Sequence, residues 1–166
     1  MPPAEASPTR ESTARPPVRA LKALFSDPQF LGAMLAGPIV WWLIALWSGA
    51  NVAAEFPPPL LREHPLRFAM LVLAYPILEE FVFRGVLQPS LAARMRGRAL
   101  PGVSTANIVT SALFALAHLL YHPPAIALAT FFPSIVFGHM RDRYQHLVPG
   151  MLLHAFYNAG YFWMFG

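Results

Sequence analysis

The stretch that decides the fold lies between residues 66 and 91 and reads LRFAMLVLAYPILEEFVFRGVLQPSL. From Phe68 to Leu78 it is uncharged and largely apolar, and it then carries Glu79, Glu80 and Arg84. A run of this length with so few charges predicts a helix that crosses a membrane. A carboxylate in hydrocarbon costs at least about 2.5 kcal/mol, so two adjacent ones are not chance surface polarity. Glu80 and Arg84 stand four apart, in the order and spacing of a helical ion pair. Glu79 points about 100 degrees away from Glu80 on a regular helix, which leaves it for another task. Taken alone, the three charges fit equally a buried ionic knot that holds helices together. Gly85 would allow close helix approach in either case.

Outward from this helix, four further apolar segments are expected, at about residues 30–47, 103–120, 124–140 and 147–165. Pro76 is expected to interrupt the second segment and Pro133 to kink or tilt the fourth. Trp41, Trp42 and Trp47 lie toward the far end of the first, where aromatic residues mark the headgroup level, and Tyr121, Tyr144 and Trp163 read as further interface anchors. Gly49 to Pro65 reads as an external loop or short surface helix, Arg94 to Pro101 as a basic loop, and Arg141 to His146 as a polar turn. The fold class predicted is all-α, a polytopic transmembrane bundle of about five spans. A disordered polar, basic tail at 1–22 precedes a single transmembrane domain at 23–166.

Composition agrees. Of 166 residues, 56% are hydrophobic and only 12% charged, against about 25% charged in a soluble domain. The pI near 10.0 does not argue for nucleic acid, because the basic residues fall between apolar segments. Arg10, Arg15, Arg19 and Lys22, then Arg94, Arg96 and Arg98, then Arg141 and Arg143 all lie on one side of a five-span chain. That side is expected to be cytoplasmic, with the C-terminus outside, and Arg141, Asp142 and Arg143 are expected to form a solvated orienting cluster. Cysteine is absent, which excludes disulfides, a thiol nucleophile and Cys-ligated metal.

Polar residues inside the other spans complete the candidate site. His118 lies near the outer end of the third span, four residues after Phe114. His154 and Asn158, four apart in the fifth, can offer an imidazole and an amide to one bound oxygen. Each also has a purely structural reading, as a hydrogen bond or polar clamp between helices. At about 1.5 Å per residue, Glu79, His154 and Asn158 fall at overlapping depths, with His118 roughly 10 Å higher. His122, His139 and His146 sit at span ends or in loops, where histidine is inexpensive. Glu79, His118 and His154 are zinc-compatible ligand types, but no His-Glu-x-x-His motif is present.

At these residues the sequence resembles the CAAX prenyl protease-like, or bacteriocin-processing, family of intramembrane proteases. Glu79-Glu80-Phe81-Val82-Phe83-Arg84, followed by Gly85, is similar to its Glu-Glu-x-x-x-Arg motif. Phe114 to His118 matches Phe-x-x-x-His, and His154 to Asn158 matches the late His-x-x-x-Asn. The resemblance covers about 66–165, the expected catalytic core. It implies a glutamate-type peptidase with no cofactor, in which Glu79 is the general base, His118 positions water, and His154 and Asn158 stabilise the tetrahedral intermediate. Glu80 and Arg84 would be a supporting pair. If the mechanism used zinc instead, Glu79, His118 and His154 would be its ligands.

The implied partners are the lipid bilayer and a membrane-anchored substrate, cut near a C-terminal sorting or anchor helix. The implied location is the cytoplasmic (inner) membrane of a bacterium. The alternatives are a non-proteolytic immunity or scaffold protein that keeps the motifs for packing, and a transporter or proton relay. The sequence sets no oligomeric state.

Overall fold

The computed structural model describes residues 23–49, 56–95 and 97–166. The expected tail at 1–22, residues 50–55 of the first loop, and Arg96 lie outside the described residues. Helix α1 spans Pro28–Ser48 and a short helix α2 spans Pro59–Glu63. The deciding stretch then forms five abutting segments: α3 Pro65–Ala69, a π-helical turn Met70–Ala74, α4 Tyr75–Glu80, a second π-helical stretch Phe81–Leu87, and α5 Gln88–Arg94. All junctions are right-handed helical, so residues 65–94 form one rod. A β-hairpin, β1 Arg98–Leu100 and β2 Val103–Ser104, precedes α6 Thr105–His118. Helices α7 Pro124–Ala129, α8 Phe131–Tyr144 and α9 Val148–Phe165 complete the chain.

The molecule is an all-α bundle apart from that hairpin. Several expectations need correction. Pro76 does not interrupt the helix. Its missing N–H and bulky ring are accommodated by the widened π turn just before it, a recognised way to pass a proline. The fourth segment is two helices broken at Thr130, whose hydroxyl donates to the Ala127 carbonyl at 2.6 Å. Pro133 sits in the first turn of α8, where a missing N–H costs nothing. Residues 141–144 are still helical rather than a turn, and 103–104 are strand, so the third helix starts at Thr105.

Among the described residues one helix, Pro28–Ser48, is both long and apolar enough to cross a membrane. The distribution of polarity is nonetheless unlike that of a water-soluble core. Glu80, Arg84, Gln88, Asn107, Thr110, Ser111, Ser134 and His154 are buried, whereas Leu43, Leu46, Trp47, Ile77, Phe81, Val82, Leu116 and Phe132 are exposed. So many exposed large apolar side chains around buried polar ones suit non-aqueous surroundings.

Helix α9 lies at the centre, packed against α1, α8 and the first half of the rod, while α6 packs on α8. Two glycines set the α1–α9 approach. A Cβ at Gly160 would fall 2.1 Å from the Trp41 ring, and one at Gly37 would meet Tyr157 at 2.9 Å. Trp41 is therefore a packing residue as well as an aromatic near a span end. Tyr157 donates to the Ala33 carbonyl at 2.6 Å. Leu24, Phe30, Phe137, Met140 and Leu153 form the apolar cluster between α1, α8 and α9, with Tyr144 packed against it rather than serving as an exposed anchor.

The start of α1 is fixed by Asp27, which caps it by accepting from the Gln29 and Phe30 amides, and by Arg143, whose Nη2 lies 2.6 Å from Asp27 Oδ2. Arg143, and then Tyr144, pull the Asp27 carboxyl down to about 2. A depressed folded value stabilises above the unfolded value of 3.8 and is lost as pH falls toward about 2. Asp27→Asn keeps a capping oxygen but removes the ionic partner. Thermal unfolding scans should show wild type more stable than this variant above about pH 4, with the two converging near pH 2. Parallel curves across that window would count against the linkage.

Candidate active site

The i, i+4 spacing of Glu80 and Arg84 produces an ion pair, with Arg84 Nη1 3.0 Å from Glu80 Oε1. Both residues are 0% exposed. Burial of such a pair requires further partners, and α8 supplies them: Arg84 Nη2 donates to the Ser134 carbonyl at 3.1 Å and to its hydroxyl. The guanidinium also stands 4.6 Å from the Phe114 ring centroid and 5.7 Å from that of Phe137. An Arg held among aromatic rings keeps its charge at lower desolvation cost than an ammonium would.

Helix α9 brings His154 to the same carboxylate. Its Nδ1 lies 3.0 Å from Glu80 Oε1, and a carboxylate there accepts, so Nδ1 carries the hydrogen. The ring is stacked on Phe137, with centroids 4.6 Å apart at 16°. The opposite nitrogen, Nε2, faces Glu79 Oε2 at 3.5 Å, longer than a direct hydrogen bond. Glu79 and Glu80 thus do not part company around the helix. Their carboxylates face opposite edges of one imidazole. They differ in access: the Glu79 side chain is 31% exposed and that of Glu80 is 1% exposed. Gly150 makes room for Glu80, since a Cβ there would come within 2.9 Å of Oε2.

Asn158, one turn beyond His154, donates from Nδ2 to the Leu71 carbonyl at 2.9 Å. One of its two amide hydrogens is thereby committed and the other is not. His118 closes α6 and donates from Nδ1 to the Phe114 carbonyl at 2.9 Å, leaving Nε2 uncommitted. The Phe114 ring contacts both histidines, with ring centroids 4.4 Å from His118 and 5.9 Å from His154. The structure therefore gathers Glu79, Glu80, Arg84 and His154 in direct contact. Asn158 lies on the same face of α9, and His118 packs against the Phe114 ring. Among the described residues no three His, Asp or Glu side chains converge as metal ligands; the two carboxylates engage opposite ring nitrogens and do not point at one centre.

Several supporting residues escaped the sequence reading. Gln88 continues the 80/84 face by one more turn and donates to the Gly138 carbonyl at 3.0 Å and to Asp142 Oδ1 at 2.7 Å. Asp142 Oδ2 accepts from Ser104 at 2.7 Å, and Arg141 Nε donates to the Arg84 carbonyl at 3.0 Å. The 141–143 group is thus engaged residue by residue, while Arg143 stays exposed. Asn107 donates to the Ile135 carbonyl at 2.9 Å against Gly138, where a Cβ would fall 2.0 Å from Asn107 Oδ1. The available signal was the four-residue repeat Ser134, Gly138, Asp142 facing Glu80, Arg84, Gln88.

The sequence profile of the family described as Type II CAAX prenyl endopeptidase Rce1-like matches residues 62–160. The chain belongs to this family. All the contacts described around Glu80 fall within the matched region, and the family assigns the protein to membrane-associated hydrolases of the CAAX-protease type. Neither the characterised proteins nor the solved structures contain a match.

Proposed function

We propose that this protein is an intramembrane endopeptidase that hydrolyses a peptide bond in or beside a membrane-anchored segment, with Glu79 activating water. The observation that carries the reading is the unequal pair of carboxylates on His154: Glu80 sealed against Arg84, Glu79 partly accessible. In this mechanism Glu79 takes a proton from water held by Nε2 of His118, and the oxygen adds to the scissile carbonyl. Nε2 of His154 and the uncommitted amide hydrogen of Asn158 stabilise the oxyanion. Glu79 then returns the proton to the departing amine as the carbon–nitrogen bond breaks.

The test is incubation of the purified full chain with a library of membrane-anchored peptides in liposomes. The expected result is a discrete product cut at one bond, formed equally well after exhaustive chelation. Folded protein that yields no product from any peptide would overturn the reading. Loss on chelation with recovery on added zinc would reassign Glu79, His118 and His154 as ligands.

We further propose that the five apolar segments of the sequence are five spans, the fourth made of α7 and α8, with the N-terminus cytoplasmic and a substrate anchored from the outer side near its C-terminus. A reporter fused at Gly166 should report the outside and one inserted in the 145–147 turn the cytoplasm. Both on one side would remove a span.

A further inference from the structure

The rod changes hydrogen-bond register where Asn158 meets it. In the Met70–Ala74 π turn the Tyr75 N–H passes over Leu71 and bonds the Met70 carbonyl. The same register would direct the N–H of residue 76 to the Leu71 carbonyl, but residue 76 is proline and has none. Leu71 is therefore left with an oxygen that no backbone group of the turn serves, and the Asn158 amide takes it at 2.9 Å. An unserved carbonyl inside a bundle costs about as much as a lost hydrogen bond, so the attraction is substantial. Pro76 is itself buried.

We propose that Pro76 is a positioning residue for Asn158: by withholding one N–H it reserves the Leu71 carbonyl for the Asn158 amide, fixing that side chain one turn from His154. This rests on the endopeptidase reading for its catalytic consequence, but not for its physical content. Pro76→Ala supplies an N–H. Whether the turn stays π or tightens to α, Leu71 then gains a backbone donor, from residue 76 or from Tyr75, and Asn158 loses its sole claim.

The experiment pairs a spectroscopic readout with kinetics. Chain labelled with carbonyl-¹³C leucine and ¹⁵N valine gives two correlated pairs, Leu71–Val72 and Leu147–Val148, and Leu147→Met identifies the second. Asn158→Leu, which keeps bulk and removes the donor, should shift the Leu71 carbonyl resonance upfield in the wild-type background. In the Pro76→Ala background the same substitution should leave it nearly unmoved. On a cleaved peptide, Pro76→Ala should lower kcat by up to about 100-fold with KM little changed, and adding Asn158→Leu should cost little more.

An unshifted Leu71 resonance in Asn158→Leu alone overturns the proposal, and this arm holds even if Pro76→Ala does not fold. Equal shifts in both backgrounds overturn it as well. The resonance needs no turnover, so a failed endopeptidase reading would leave the Leu71 result standing.

Discussion

Glu79→Gln yields a folded protein whose cleavage of a membrane-anchored peptide falls by about two to four orders of magnitude, the contribution typical of a general base. The amide keeps the size of the carboxylate and can still face His154 Nε2, so packing is preserved. Only the proton acceptor is lost. Glu80 continues to hold Arg84 and His154 Nδ1, which is why thermal stability in detergent should stay close to wild type. Glu80→Gln should behave oppositely, leaving Arg84 without its carboxylate and lowering stability together with activity. Paired measurements of melting and cleavage on the same preparations separate the two carboxylates. Wild-type cleavage by well-folded Glu79→Gln protein would sink the mechanism, and loss of cleavage that merely follows loss of stability would favour a scaffold.

Arg84→Ala carries the largest expected effect on stability. It strands Glu80, whose carboxylate is fully buried, and leaves an empty space between Phe114 and Phe137. Removing one partner of a buried ion pair costs about 3–5 kcal/mol, a large part of the stability of a small domain. Arg84→Lys should recover only part of this, because a compact ammonium lacks the guanidinium fork that serves Glu80 and Ser134 together. Arg84→Met with Glu80→Leu should melt nearer to wild type than Arg84→Ala, since it removes both charges and fills the volume. Denaturant or thermal unfolding of the three variants provides the check. An Arg84→Ala protein as stable as wild type would show that the pair is not the centre of the core.

The all-α character of the chain was legible because helical periodicity and charge exclusion are local properties of the chain. The same holds for the Glu80–Arg84 pair, since four residues of helix bring those side chains together whatever surrounds them. Motif spacing was enough to single out Glu79, His118, His154 and Asn158.

What the sequence by itself did not determine was how those residues share partners. That His154 bridges both carboxylates depends on where α9 crosses the rod, and that Asn158 meets Leu71 depends on a π turn that no pattern of side chains announces. Pro76 shows the difference most clearly. Read locally, proline breaks a helix; in the folded bundle the widened turn and the Asn158 amide absorb the missing bond and the helix runs on. Asp142, Gln88 and Ser134 likewise looked unremarkable until α8 lay against the rod. The sequence determines which groups are too costly to leave unpartnered in an apolar setting, because that cost belongs to each residue. Only the tertiary structure decides which partner each one takes, because partners fifty or more residues away are brought to 3.1 Å or closer by helix packing alone.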